Sequence, residues 1–283
     1  MKFGVNTWVW VSPLTTAGIE ELAPKIKAMG FDQFEIPLEG LDDIDYGRAA
    51  SILADNGLAV SICAAMGPDR DLIHEDKAIR DNGMAYIRHM VDAAEVLGAA
   101  TVAGPLYSAV GRVWQMTDDE RARDTDLLVE QLSSLSAYAG DKGVLLCVEP
   151  LNRFETSFIN LASQAIEVID RVDHPACKVM LDTFHMNIEE KSLGDAIRAV
   201  GVERLGHVHT CENDRGAPGS GNVDWDDVAQ ALKDIGYDRS VVIESFTNKV
   251  TTIARAAAIW RPLAPTQDDL AKDGLVFLKA LLA

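Results

Sequence analysis

Four side chains suited to metal ligation each close a short apolar run. Glu149 ends VLLCVE (144–149), Asp182 ends CKVMLD (177–182), His209 ends RLGHVH (204–209) and Glu244 ends VVIE (241–244). Taken singly, each reads as well as a salt-bridged carboxylate or a satisfied core histidine, because a buried charge needs a partner wherever it sits. Four of them at successive run ends, each about one strand–helix unit after the last, point instead to one shared site. Three carboxylates and an imidazole, without a thiolate, make a hard-to-borderline donor set. It favours Mn²⁺, Mg²⁺ or Co²⁺ over a structural zinc. Such ions commonly take about six ligands, so about two positions stay open to a substrate. Two carboxylates, Glu149 and Glu244, opposed across one ion suit an enzyme that removes a carbon-bound proton and returns it.

A second polar set follows the same runs. Glu155 and Arg153 lie just past the first, in VEPLNRFE. His185 stands three residues after Asp182, and Arg215 lies in the Gly- and Pro-rich stretch 212–221. Glu155, His185 and Arg215 suit hydroxyls and a carbonyl, although polar loop residues are often only solvated. Trp8, Trp10, Trp114 and Phe246 offer apolar walls, as aromatic faces do in sugar sites, and serve equally as core.

The elements that would carry these residues follow a steady rhythm. Strand candidates are 2–9, 32–36, 58–64, 100–103, 144–149, 177–182, 204–210 and 240–245. Helix-period segments alternate with them at 15–29, 45–56, 76–97, 118–139, 161–172, 192–200, 225–235 and 250–260, and a terminal helix fits 267–282. Gly30 and Gly98 stop two of these helices, and Thr117 with Glu120 reads as a capping box. Eight strands alternating with eight helices predict an α/β fold, a (β/α)₈ TIM barrel whose strand ends converge on one mouth. No linker or short repeat divides residues 1–283, so a single catalytic domain is expected. An open doubly wound sheet would want a Gly-rich first turn, and VNTWVW has none.

Composition removes several classes. Acidic residues number 44 against 26 basic, giving −18 formally. No basic stripe is visible, which argues against nucleic-acid binding. No stretch reaches the length of a membrane span and the N-terminus reads as a strand, not a leader, so a cytoplasmic protein is expected. Cys63, Cys147, Cys177 and Cys211 form no CxxC pair and read as buried free thiols.

VEPLNRFE (148–155), DTFHMNIEE (182–190), HVHTCENDRGAPGSGNVDW (207–225) and VVIESF (241–246) resemble the ketose 3-epimerase family, which comprises D-tagatose, D-psicose and L-ribulose 3-epimerases within the xylose-isomerase-like barrels. GPLYSAVGR (104–112) and residues 71–80 extend the likeness over most of the chain. The resemblance implies one divalent metal, usually Mn²⁺ or Co²⁺, on Glu149, Asp182, His209 and Glu244, with the two glutamates as the acid/base pair. It places Glu155, His185 and Arg215 at the O1 to O3 end of an open ketose, and Trp114 and Phe246 at its apolar walls. It implies a homodimer or homotetramer. The chain departs from the family where Cys211 stands in place of a small residue, at Asn213-Asp214 before Arg215, and in its NTWVW start.

The expected chemistry is inversion at C3 of an unphosphorylated ketose through a cis-enediolate, since no Gly-rich phosphate cradle is present. An aldose–ketose isomerase, a 3-keto-glycoside lyase and a non-catalytic sugar-binding protein are the alternatives.

Overall fold

The apolar runs become strands because each is buried on both faces, as a parallel strand must be when helices cover the sheet. The computed structural model of the chain describes residues 1–64 and 66–282. Its elements run β1 (Lys2–Asn6), α1 (Thr16–Met29), β2 (Gln33–Leu38), α2 (Tyr46–Asp55), β3 (Ala59–Ala64), α3 (Lys77–Leu97), β4 (Thr101–Gly104), α4 (Asp118–Asp141) and β5 (Leu145–Val148). The second half continues α5 (Ala162–Val172), β6 (Cys177–Asp182), α6 (Thr183–Glu189), α7 (Leu193–Arg204), β7 (Leu205–Thr210), α8 (Trp225–Asp234), β8 (Ser240–Ile243), α9 (Thr251–Ala256) and α10 (Gln267–Leu282). The strands pair in sequence order, all parallel, and β8 returns to β1 in register Lys2↔Ser240 to close a (β/α)₈ TIM barrel.

The main core lies between strands and helices. From β2, Phe34, Ile36 and Leu38 point outward into it, while α1 contributes Ile19, Leu22 and Ile26 at the expected spacing. The terminal helix α10 belongs to this core: it buries Leu270, Leu275 and Leu278 and leaves Val276 exposed. At Gly4 on β1 an added Cβ would stand 2.9 Å from the Val242 side chain, so this strand approaches its neighbour only as glycine. All four cysteines are buried and free. Among the described residues no helix is long and apolar enough to cross a membrane.

Departures from the sequence reading at three places have a local reason. The first strand stops at Asn6 rather than 9, because the Asn6 side chain accepts from the Trp8 amide and starts a 3₁₀ turn over Thr7–Val9. The segment 183–189, read as loop, is helix α6, which Asp182 itself caps by accepting from the Phe184 amide at 2.8 Å. The helix expected over 192–200 extends to Arg204, across a non-helical Gly201 with φ 68°.

Candidate active site

Each strand end delivers one side chain to the mouth. Asp182 and His209 are in register partners on β6 and β7. Glu149 and Glu244 stand one residue past β5 and β8, with amides still bonded across the barrel, to Gly104 O at 3.0 Å and Thr210 O at 3.3 Å. All four are buried. The carboxylates do not repel one another freely, because the guanidinium of Arg215 lies among them. Its Nη1 donates to Asp182 Oδ2 and to Glu244 Oε2, both at 2.6 Å. Phe184 and Phe246 flank the same guanidinium, with its central carbon 4.0 Å and 5.1 Å from their ring centroids.

Arg215 reaches this position through a left-handed backbone, φ 68°, costly for a residue with a Cβ. The loop that imposes it is organised by Glu212, which is buried and accepts from the amides of Gly219 and Val223 and from Trp225 Nε1. Ser245 donates to Arg215 O at 2.7 Å and ties the loop to the end of β8.

Electrostatics separate the two glutamates. Burial and the charges of Glu244 and Asp182 push Glu149 well above the usual carboxylate range. Burial also opposes the charge on Glu244, but His209 and Arg215 outweigh it and hold Glu244 below its ordinary value. The surroundings of the two carboxyls thus differ in sign, favouring the neutral form at Glu149 and the ionised form at Glu244.

His185 is neutral. Its Nδ1 accepts from the Asn152 amide at 3.0 Å, so Nε2 carries the proton. Burial, then the charge of Arg215, takes its pKa down to about 3. That Nε2 faces Arg215 Nη2 at 3.1 Å and Glu149 Oε1 at 3.8 Å. Two donors meet there, and an acceptor oxygen set between them would serve both. Asn152 also donates from its side chain to Glu155 at 2.8 Å, so Glu155 and His185 are held through one amide residue. Burial raises Glu155 above its ordinary range, with Arg215 opposing.

Among the described residues, Glu149 Oε1 and His209 Nδ1 are buried at the mouth without a hydrogen-bond partner. His209 Nδ1 is 3.3 Å from Glu244 Oε1 but out of line for a hydrogen bond. Burial opposes charge on His209, yet Glu35 and Glu244 hold its pKa well above the usual value. Unpartnered oxygen and imidazole nitrogen in a nest of carboxylates fit a divalent cation, so the donor set read from the sequence suits the group it implied. Of the same side chains, Glu149, Asp182 and His185 form one group with ligand atoms close enough to share an ion, and Cys63, His209 and Glu244 form another.

Apolar walls are only partly as expected. Trp8 and Phe246 pack at 5.5 Å between centroids and share a cluster with Cys63, Ile253 and Ile259 beside Glu244. Trp114 lies on the β4–α4 loop, stacked on Phe158 and under Arg112. Trp10 packs against the main core, and its Nε1 donates to Asp268 on α10 at 2.8 Å. Arg153 also faces outward, paired bidentately with Glu189.

A model of the xylose isomerase-like TIM barrel family matches residues 23–281. The chain is 35% identical to the D-psicose 3-epimerase of Agrobacterium fabrum, covering all of this chain and 99% of that one. The chain belongs to the ketose 3-epimerase family of xylose isomerase-like barrels. Identity is 34% to the D-psicose 3-epimerase of Ruminiclostridium cellulolyticum, over 96% of this chain and 93% of that relative. A crystal structure of D-psicose 3-epimerase in the presence of D-fructose superposes with a TM-score of 0.91 at 32% identity, over 100% of this chain and 99% of that one. In this ketose 3-epimerase family member, sequence reasoning missed Asn152, Glu212 and the two buried residues Glu35 and His207, which meet beside His209. The available signal was alternation, since Glu35 with Gln33, and His207 with His209, are polar pairs two residues apart and face one way from a strand.

Proposed function

We propose that this chain is a metal-dependent ketose 3-epimerase that inverts C3 of an unphosphorylated ketose. The observation that carries the reading is the convergence of two buried carboxyls, Glu149 and Glu244, with Asp182 and His209 at one mouth, in a chain of the ketose 3-epimerase family. Glu149, Asp182, His209 and Glu244 would hold one divalent cation, Mn²⁺ in the first place and Co²⁺ or Mg²⁺ otherwise. When bound, such a cation polarises oxygens on the substrate, acidifies the neighbouring C–H and draws down the pKa of both glutamates.

The rest falls to the chain. One glutamate takes the C3 proton and the other delivers a proton to the opposite face, since a single base would return the proton to the face it left. The cis-enediolate formed between the two transfers carries negative charge that Arg215 is placed to offset. His185 donates from Nε2 to a substrate oxygen, and Glu155 accepts from a hydroxyl nearby. Phe246 and Trp8 exclude water on one side, and Trp114 closes the neighbouring loop. No basic cluster for a phosphate stands at this acidic mouth, which supports a neutral sugar. The family resemblance supports a homodimer or homotetramer, and a cytoplasmic location is part of the same reading. No nucleic-acid or membrane partner enters this reading.

The test is incubation with a ketose panel and Mn²⁺ in heavy water, read by NMR. Deuterium at C3 together with a new diastereomer is expected. Deuterium at C1 or C2 with an aldose product would establish an isomerase instead, loss of an aglycone from a 3-keto-glycoside would establish a lyase, and binding without exchange would leave a sugar-binding protein.

A further inference from the structure

We propose that Glu35, a residue outside the mouth, is the positioning residue of the metal centre: it turns His209 so that Nδ1, and not Nε2, faces the other ligands. The inference rests on the metal centre proposed above. Glu35 sits midway along β2, faces the barrel interior and is 0% exposed. Its carboxylate reaches across the barrel. Oε1 accepts from His209 Nε2 at 2.6 Å and from Asn6 Nδ2 at 3.0 Å, while Oε2 accepts from His207 Nε2 and Ser61 Oγ, both at 2.7 Å.

Four donors from β1, β3 and β7 leave this carboxylate no freedom to rotate. The donors are themselves oriented. Asn6 Oδ1 accepts from the Trp8 amide, so its nitrogen is the end turned to Glu35. Ser61 Oγ accepts from Gln33 Nε2 at 2.8 Å, which directs its hydrogen to Glu35, and Gln33 Oε1 in turn accepts from Ser240.

An ionised carboxylate only accepts, so His209 must carry its proton on Nε2 whatever its charge. Its Nδ1 then points at Glu244, without a hydrogen-bond partner, and gives up any proton to an incoming cation. A carboxylate on the far nitrogen of a ligating imidazole fixes its tautomer and orientation and strengthens it as a donor.

Glu35, His207 and His209 are also close enough to be read as a metal site of their own. The contacts argue otherwise. Ligand atoms around one ion stand ~3 Å or more apart, given metal–ligand distances near 2 Å. At 2.6 and 2.7 Å the carboxylate is in direct hydrogen-bond contact with both imidazoles.

The test compares Mn²⁺ affinity, read from the free-ion EPR signal, in the wild-type protein, Glu35→Gln and His207→Gln. Glu35→Gln is close in size but presents an N–H₂ to one of the imidazoles. Its affinity is expected to fall by about 10–100-fold. His207→Gln removes a donor yet leaves the Glu35–His209 bond, so its loss is expected to be clearly smaller. Wild-type affinity in a folded Glu35→Gln protein, or equal losses in the two variants, would overturn the assignment. Should Glu35→Gln fail to fold, the wild-type protein decides the matter. With ¹⁵N-labelled histidine and Zn²⁺ bound, long-range ¹H–¹⁵N correlations are expected to place the His209 proton on Nε2. A proton on Nδ1 would sink the proposal. A wild-type chain that binds no divalent ion removes this inference and the metal centre together, whereas binding without epimerisation leaves it standing and removes only the reaction.

Discussion

Burial and two neighbouring carboxylates oppose the charge on Glu149 and push its pKa up. Glu244, with the same side chain, is also buried, but His209 and Arg215 hold its pKa down. In the proposed reaction each glutamate serves one face of C3, so replacing either by Gln removes one half of the proton transfer. Turnover in Glu149→Gln and Glu244→Gln is expected to fall by ~10²–10⁴-fold, with circular dichroism unchanged. A variant retaining more than about a tenth of the wild-type rate would remove that glutamate from the pair. His185 carries a second consequence. Burial takes its pKa to about 3, whereas in the unfolded chain it titrates near the ordinary 6.5. Between these values the unfolded chain binds a proton that the folded chain does not. The stability it contributes is therefore complete above pH 6.5 and lost as pH falls toward 3. Between pH 7 and pH 4 the loss is ~3 kcal/mol, at 1.36 kcal/mol per unit. Urea titrations at the two pH values should show a smaller difference in His185→Gln by about that amount.

At the level of elements, the sequence is informative wherever a polar residue ends an apolar run. Desolvation makes such a residue conspicuous, and the barrel brings all such ends to one mouth. For this reason Glu149, Asp182, His209 and Glu244 could be singled out without coordinates, and the barrel itself followed from eight runs at steady spacing. Glu35 escaped because it lies inside the run QFEIPL, where one acid among apolar neighbours reads as an exception to a strand. Its partners are on β1, β3 and β7, and nothing local in sequence announces a contact between residues 35 and 209. Helix α6 escaped because seven residues are too few for a periodic signal; only its Asp182 cap marks the start, and Asp182 had been read as a ligand. The two readings agree physically, since Asp182 caps through Oδ1 and turns Oδ2 to Arg215. Of the two readings open for Trp10, wall or core, the structure favours core. A strand running to residue 9 sets its side chain by alternation, and the 3₁₀ turn at Thr7–Val9 breaks that alternation. Arg215 was legible as a charge in a Gly- and Pro-rich stretch, but its left-handed backbone and the Glu212 hub emerge only from the folded loop.

Across the whole molecule, the polar interior and the mouth are satisfied differently, and this decides what metal removal does. The network below the mouth closes on itself: Glu35 has four donors, and Gln33, Ser61 and Ser240 complete the chain of bonds. The apolar core between barrel and helices involves no ligand side chain. The mouth, by contrast, gathers Glu149, Asp182, Glu244 and Glu155 around one guanidinium and leaves Glu149 Oε1 and His209 Nδ1 without partners. A chelated protein should therefore keep its far-ultraviolet circular dichroism at 25 °C while unfolding at a lower temperature. A cation that binds only the folded state adds about 2.7 kcal/mol at one hundred times its Kd. For a domain of this size that corresponds to a rise in Tm of roughly 5 °C in a thermal scan. Glu149→Gln withdraws one of the unpartnered oxygens, so its rise on adding Mn²⁺ should be smaller at the same ion concentration. Unfolding on chelation alone would mean that the cation holds the barrel together; an unchanged midpoint at saturating Mn²⁺ would mean that the mouth binds none.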